Sequence, residues 1–196
     1  MARPSKHAEN SAATRARLLE LGIERFPLKG YSATSIRDLL DGSGLAIGAF
    51  YYHFTSKTDF FLAILDHVSG PRGAFGALAA SAAPETLEDA LLLVLGPLAA
   101  DPRRGAMSLV VADFALVHRD DPDIRGRVVE VRRHAVREIA DFLAVMQERG
   151  LVRDDMDVEL LASMVFATVE GHVFHQEIYG EGFVTALDAA VRVLGA

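Results

Sequence analysis

Residues 34–57 read TSIRDLLDGSGLAIGAFYYHFTSK, and this stretch decides the fold of the N-terminal part of the chain. Thr34 or Ser35 can cap a short helix, which Gly44 ends in a turn conformation that a side chain would oppose. A second short helix follows at once in LAIGAFYYHF, residues 45–54. The pattern predicts a helix-turn-helix, since two short crossed helices joined by a glycine-containing turn define that motif.

The apolar residues of this stretch are spaced to pack the two short helices against each other. Ile36, Leu39, Leu45 and Phe50 would form the inner contact. Gly48 would keep the outer face of the second helix low, so that this helix can approach a groove closely.

Helical spacing continues through the rest of the chain. A first helix should carry Leu18, Leu19, Ile23 and Phe26 on one stripe, and Pro27 and Gly30 should end it. A fourth helix should begin after Thr55 or Ser56 and reach about Ser69. Further helices are predicted at about 73–82, 86–100, 103–118, 122–149, 157–179 and 183–194. Alternation typical of strands is never sustained, so the sequence predicts an all-α fold with about nine or ten helices.

The charge of the chain is unevenly distributed. The net charge is −7, yet residues 1–60 hold eight Lys and Arg against six Asp and Glu, whereas the remainder holds twelve against 21. The N-terminal residues Arg3, Lys6, Arg15 and Arg17 resemble a basic arm that could follow a phosphate backbone. An ordinary solvated tail is the alternative interpretation.

Composition removes several classes of protein. The chain has no cysteine, which excludes disulfides, thiolate nucleophiles and Cys-ligated zinc. It has no uncharged apolar run long enough to span a bilayer, and Met1 to Asn10 is polar, unlike a signal peptide. We therefore expect a cytoplasmic protein without membrane contact. The hydrophobic share of 51% calls for burial at a subunit interface or in an apolar cavity.

The ending Phe50-Tyr51-Tyr52-His53-Phe54-Thr55-Ser56-Lys57 resembles the DNA-binding domain of TetR-family transcriptional regulators. The resemblance covers about residues 12–65. It implies a three-helix helix-turn-helix DNA-binding domain at residues 1–56, followed by a helical effector-binding and dimerisation domain at residues 57–196. The implied function is that of a repressor, released from a palindromic operator by a small apolar or amphipathic molecule.

The resemblance also implies which residues meet DNA. Tyr51, Tyr52, His53 and Lys57 match positions that contact phosphates, although packing is an alternative role for Tyr51. Arg37 matches a position that can read a guanine edge, with a surface ion pair to Asp41 as the alternative. The complete predicted DNA-binding set is Thr34, Ser35, Arg37, Ala46, Ile47, Gly48, Ala49, Tyr51, Tyr52, His53 and Lys57.

The sequence departs from the family pattern at Ala46, Ile47 and Ala49, where polar residues are frequent. Readout by this helix should then rest on apolar contact with thymine methyl groups. Arg37, Thr34 and Ser35 would supply the polar discrimination.

The family resemblance implies a two-fold dimer built on the last two long helices. One helical face carries the candidate interface residues Leu160, Met164, Ala167, Gly171 and His175, followed by Leu187 and Val191 in the final helix. Intrachain core is the alternative for this stripe.

Large adaptable side chains and a few polar ones are candidates for effector binding. They are Met107, Val111, Phe114, His118, Phe142, Met146, Phe166, Glu170 and Phe174. No cofactor or metal is expected. His172 and His175 have the spacing of a metal pair, but histidines satisfied at a dimer interface are commoner. Asp157 is expected to cap a helix rather than bind calcium.

The sequence leaves two alternative functions open. A helical enzyme could use His118, Glu170 or His172 as acid and base, but no nucleophile, metal or nucleotide motif supports it. A helical interaction module without specific DNA binding is the second alternative.

Overall fold

The computed structural model describes residues 6–70, 73–100, 102–180 and 190–195, and these residues contain helices and no strand. The prediction of an all-α chain is confirmed. Within the described ranges, no helix is long and apolar enough to cross a membrane. The helices are α1 (Lys6–Ala33), α2 (Ile36–Leu40), α3 (Ile47–His53), α4 (Lys57–Val68), α5 (Ala74–Ala82), α6 (Leu87–Ala100), α7 (Pro102–Val117), α8 (Pro122–Glu148) and α9 (Val158–Tyr179), and residues 190–194 are helical as well.

Capping residues set several of these bounds. Ser35 caps α2, Ser56 caps α4 and Asp157 caps α9, each accepting backbone N–H bonds in the first turn. All three caps agree with the sequence analysis.

The end of α1 differs from the prediction. Pro27 lies inside the helix rather than ending it, and the preceding residue, Phe26, is fully buried in the first core. Gly30 does interrupt the helix, with φ 83° and ψ 170°. The last residues, Tyr31 to Ala33, follow this kink.

From Lys6 onward the basic N-terminal segment is helical and not a mobile arm, whereas its contact with a phosphate backbone stays a prediction. Arg15 and Arg17 belong to α1, which begins at Lys6, and Arg17 pairs with Glu20 at 3.1 Å. The Arg15 guanidinium lies 5.3 Å from the centre of the Phe54 ring. Arg3 lies outside the described residues.

Two hydrophobic cores organise the chain. The first packs α1 to α4 together and continues into α7 through Met107, Val110 and Phe114. It therefore extends across the domain boundary predicted after residue 56. The second core joins α5, α6, the C-terminal half of α8, α9 and the helical residues near the C-terminus.

One face of α9 is left uncovered in the single chain. Leu160 is 52% exposed, Met164 38% and Ile178 57%, while Leu161 and Val165 on another face are buried in the second core. We call the uncovered face the α9 stripe; it consists of Leu160, Met164, Ala167, Gly171, His175 and Ile178.

Candidate nucleic-acid interface

A capping box begins α2, and two glycines form the turn between α2 and α3. The Ser35 hydroxyl accepts from the Asp38 backbone N–H, and the Asp38 carboxylate accepts from the Ser35 backbone N–H at 2.9 Å. This reciprocal capping box satisfies the free amides at the start of α2. Gly42 and Gly44 have φ of 64° and 75°, a region that favours glycine.

The inner side of α3 is anchored by aromatic contacts. Phe50 is fully buried, and its ring centre lies 5.1 Å from that of Phe60 and 5.7 Å from that of Phe54. We call the predicted DNA-binding domain, residues 1–56, the head. Since Phe60 belongs to α4, the position of α3 depends on the helix that links the head to the rest of the chain.

The outer side of α3 projects into solvent. Ile47 is 47% exposed, Tyr51 54% and Tyr52 72%. A Cβ built at Gly48 meets nothing within 4 Å, so the surface beside Ile47 is low. Ala46 is exposed as well, whereas Ala49 and His53 are half-buried. The exposed face therefore offers methyl and phenol groups to a partner.

Arg37 of α2 is the cation that the sequence analysis assigned to a base edge. Its side chain is exposed, and no ion pair or hydrogen bond holds it within the part of the chain that the structure describes. The alternative pairing with Asp41 therefore receives no support. An exposed guanidinium without an internal partner can form a bidentate contact with a guanine edge.

Two predicted DNA contacts are reassigned. The Thr34 side chain is 2% exposed, and its hydroxyl donates to the Gly30 carbonyl at 2.6 Å, so it is not available to a base. Ser35 is exposed, but its hydroxyl is engaged with Asp38 in the capping box. The two hydroxyls therefore stabilise the backbone just before α2 and at its N-terminus.

Lys57 is held by the chain itself. Its ammonium donates to the carbonyls of Tyr31 at 2.9 Å and Thr34 at 3.0 Å, and lies 4.3 Å from the centre of the Tyr31 ring. Burial lowers the pKa of the Lys57 ammonium, while the charge of Asp113 acts in the opposite direction. An ammonium has three N–H donors, so one remains for a phosphate. The predicted phosphate contact stays a prediction.

Two cations that the sequence analysis did not single out lie next to Arg37. Arg25 donates to the Asp38 carbonyl at 2.7 Å, and Lys29 pairs with the Asp38 carboxylate at 2.9 Å. Hydrogen bonds from Ser35 and Lys29 hold the pKa of that carboxyl well below its usual range. Their spacing of four residues on the outer face of α1 could have identified this pair.

The predicted effector residues do not line one cavity. Met107, Val111 and Phe114 belong to or pack against the first core, whereas Phe142 and Met146 are buried in the second. These five side chains therefore act mainly as packing.

His118 also has a structural role. Its Nδ1 lies 2.9 Å from the Phe114 carbonyl and its Nε2 lies 3.3 Å from the Thr58 hydroxyl. His118 therefore links the end of α7 to α4, and its predicted contact with an effector stays a prediction.

The remaining effector candidates lie on α9. Phe166, Glu170 and Phe174 are half-buried, and the Arg132 guanidinium lies 5.4 Å from the centre of the Phe166 ring. Burial raises the pKa of the Glu170 carboxyl, and the charge of Arg132 opposes that shift. These residues stay a prediction.

The candidate dimer residues fall into two groups. Those on α9 form the α9 stripe, which also contains Ile178, a residue that the sequence analysis did not name. Val191 is half-buried and packs against the second core, as in the alternative interpretation. Leu187 lies outside the described residues. Within those residues, no group of three or more metal-ligating side chains forms, so a metal at His172 and His175 has no structural support.

Comparison with known proteins places this geometry in a family. Residues 18–64 match the family model of bacterial regulatory proteins of the tetR family. The chain is 30% identical over 152 residues to the HTH-type transcriptional repressor KstR2 of Mycolicibacterium smegmatis, covering 76% of this chain and 73% of KstR2. The chain belongs to the TetR family.

A second named repressor and a solved structure are also similar to this chain. The HTH-type transcriptional repressor AcnR of Corynebacterium diphtheriae is 25% identical over 81% of this chain and 78% of its own. The crystal structure of the transcriptional regulator FadR from Bacillus subtilis, in complex with stearoyl-CoA, is similar with a TM-score of 0.69. It is 16% identical, covers 92% of this chain and 97% of its own, and bears on the fold alone.

As a TetR-family member, the chain is a DNA-binding transcriptional regulator with an N-terminal helix-turn-helix. The matches confirm this function over that of an enzyme, since the family and the relatives are regulators.

Proposed function

We propose that this TetR-family regulator is a homodimeric repressor that binds a palindromic operator in the cytoplasm. We further propose that a small apolar or amphipathic effector releases the repressor from its operator. The effector would bind in the body, the predicted effector-binding and dimerisation domain at residues 57–196. The observation that carries the proposal is a helix-turn-helix in which the outer face of α3 and the Arg37 side chain of α2 are both exposed. KstR2 and AcnR are both named repressors, which supports the direction of regulation.

The α9 stripe supports the dimer. The exposed apolar side chains of this stripe cost solvation free energy, which burial against a second copy would recover. A two-fold dimer would also present two heads to half-sites about one helical turn apart, roughly 34–36 Å. A palindromic operator follows from that symmetry.

The half-buried side chains on α9 support an effector of mixed character. Phe166 and Phe174 offer apolar contact, while Glu170 and Arg132 offer charge. The similar FadR structure holds stearoyl-CoA, which joins a long acyl chain to a charged group. An effector acts only through its differential affinity for the DNA-competent and released states.

The head offers two kinds of contact for base recognition, one apolar and one polar. Ile47 and the alanines of α3 offer methyl contacts that favour thymine, whereas Arg37 offers a bidentate fork that favours guanine. Tyr51, Tyr52 and His53 border this face and are proposed to contact phosphates.

The test begins with selection of the preferred duplex from random DNA by the full-length protein. Arg37→Ala should then cost about 1–3 kcal/mol on the selected operator and relax preference at one symmetric pair of positions. A single-base substitution scan of the operator measures both effects. Arg125→Ala removes an exposed arginine from α8 and serves as the matched control, with base preferences unchanged.

Two results would contradict the proposal. Equal loss of affinity on every sequence with Arg37→Ala would make Arg37 a backbone contact only. Strong salt dependence without any sequence preference in the unmodified protein would instead favour the interaction module.

A further inference from the structure

The segment between α1 and α2 sets how the helix-turn-helix is presented. Gly30 breaks α1, Tyr31 is buried in the first core, and the buried Thr34 hydroxyl closes back onto the Gly30 carbonyl. α2 begins directly afterwards at Ile36. Any force that holds residues 30–35, which we call the α1–α2 turn, therefore orients α2 and α3 as well.

Asp113, a residue of α7, binds this turn through two hydrogen bonds to Ser32. Asp113 of α7 accepts the Ser32 backbone N–H at 2.7 Å through Oδ2 and the Ser32 hydroxyl at 2.6 Å through Oδ1. A Cβ at Gly30 would lie 3.1 Å from Oδ2, so the missing side chain permits this approach. Burial alone would raise the pKa of the Asp113 carboxyl, but hydrogen bonds from Ser32 and the charge of Lys57 lower it overall. The carboxylate is therefore charged at neutral pH.

Lys57 of α4 holds the same turn through hydrogen bonds of its own. Its two hydrogen bonds end on the carbonyls of Tyr31 and Thr34, which flank the residue that Asp113 holds. The Tyr31 hydroxyl lies 3.1 Å from that of Thr58, which in turn approaches His118. α4 and α7 thus clamp the turn through groups of opposite charge.

We propose that Asp113 is a positioning residue for operator binding, which holds the α1–α2 turn on α7 and thereby fixes the angle of the DNA-binding head. Ser32 is its partner in the head. The proposal rests on the operator binding proposed above. A dimer must place two recognition helices on half-sites a fixed distance apart, so a loosened head weakens binding to a full operator more than to a half-site.

This role makes a prediction opposite in sign to simple electrostatics. Removal of a negative charge from a DNA-binding protein should by itself strengthen binding to the phosphate backbone. If Asp113 positions the head, Asp113→Asn should instead weaken operator binding. Asparagine keeps the shape and can still accept the Ser32 N–H, while its amino group can donate to the Ser32 hydroxyl, so the change removes the negative charge that strengthens both hydrogen bonds and attracts Lys57.

The experiment compares affinities for the selected full operator and for a duplex with one half-site. Asp113→Asn should lower full-operator affinity about tenfold, the size expected for loss of a charge-assisted hydrogen bond, and should affect the half-site less. Ser32→Ala should act in the same direction more weakly. Because both changes break one contact, the double variant should be no weaker than Asp113→Asn alone.

The matched control is Asp120→Asn, which removes the same charge from a side chain that is 95% exposed. It should leave operator affinity equal to that of the unmodified protein or raise it. Asp113→Asn with unchanged or higher operator affinity overturns the positioning role while leaving the proposed function intact. If Asp113→Asn fails to fold by circular dichroism, Ser32→Ala decides, and its unaltered preference for the full operator over the half-site overturns the inference. An unmodified protein that selects no sequence overturns operator binding and this inference together.

Discussion

At the scale of single residues, Lys57 shows how one side chain can serve structure where its position in the motif suggests DNA contact. Lys57→Met would leave the Tyr31 and Thr34 carbonyls without their donor. We expect the free energy of unfolding to fall by about 1–2 kcal/mol, as for other half-buried polar groups that lose a partner. Urea denaturation measures the change.

Lys29→Met is the matched control for this experiment, since Lys29 is exposed and forms a surface ion pair with Asp38. Its effect should stay below about 1 kcal/mol. With one N–H of Lys57 left for phosphate, the slope of log K against log salt should fall by at most about 1 per subunit in Lys57→Met. Unchanged stability of this variant would refute the structural role.

Single residues also show what the sequence could and could not predict. The exposed face of α3 was predicted correctly because local spacing fixes which side chains point away from Phe50. The burial of Thr34 was not predicted. It depends on the kink at Gly30 and on Lys57, which lies 23 residues further along the chain. Contacts between distant segments leave no periodic signal.

At the scale of helices, α5 depends on a cap supplied by another element. Its N-cap, Gly73, has no side chain to offer, and the buried Glu138 of α8 accepts the Gly73 N–H at 2.6 Å and the Phe75 N–H at 3.2 Å. A carboxylate at this position also complements the helix dipole. α5 is thereby fastened to α8.

Glu138→Gln should therefore weaken the fold, because the amide presents an amino group to one of the two N–H donors. We expect a loss of about 1–3 kcal/mol in the free energy of unfolding, measured by urea denaturation at fixed protein concentration. Glu130→Gln, at an exposed ion pair with Arg133, is the control and should change it by less than about 1 kcal/mol. Equal stability of the two variants would show that Glu138 does not cap α5.

The helices from α5 to α9 begin and end within about two residues of the predicted positions, since proline, glycine and capping residues act locally. The predicted start of the final helix, at residue 183, lies outside the described residues. The sequence did not predict where the effector candidates lie relative to one another. Periodicity showed that Phe114 and Phe142 lie on apolar faces, but it carries no information on which neighbour each face meets, and the structure sends them to separate cores.

At the scale of the whole molecule, the α9 stripe predicts the state of assembly. Ala167 is exposed at its centre, and a Cβ at Gly171 meets nothing within 4 Å in the single chain. Ala167→Arg should therefore be tolerated by the monomer fold but should place a charge in the proposed interface. We expect a monomer by light scattering at micromolar concentration.

Gln176→Arg adds the same charge to another exposed position of α9, outside the stripe, and should leave the dimer intact. Operator affinity should fall with Ala167→Arg and not with Gln176→Arg, because two linked heads bind with higher avidity than one. If the Ala167→Arg variant is still a dimer, the dimer interface does not lie on the α9 stripe.

The first core bears on how such regulators can be recombined. Phe50 rests on Phe60, and Tyr31 rests on Phe114 with their ring centres 4.8 Å apart, so residues 1–56 carry only part of their own interior. A chimaera that grafts those residues onto a foreign scaffold would exchange these ring contacts for unrelated ones and lose the close packing they provide. The transplantable unit is α1 to α4 together with the matching segment of α7. New operator preferences are therefore reached more easily by substitutions on the outer face of α3 than by exchange of heads.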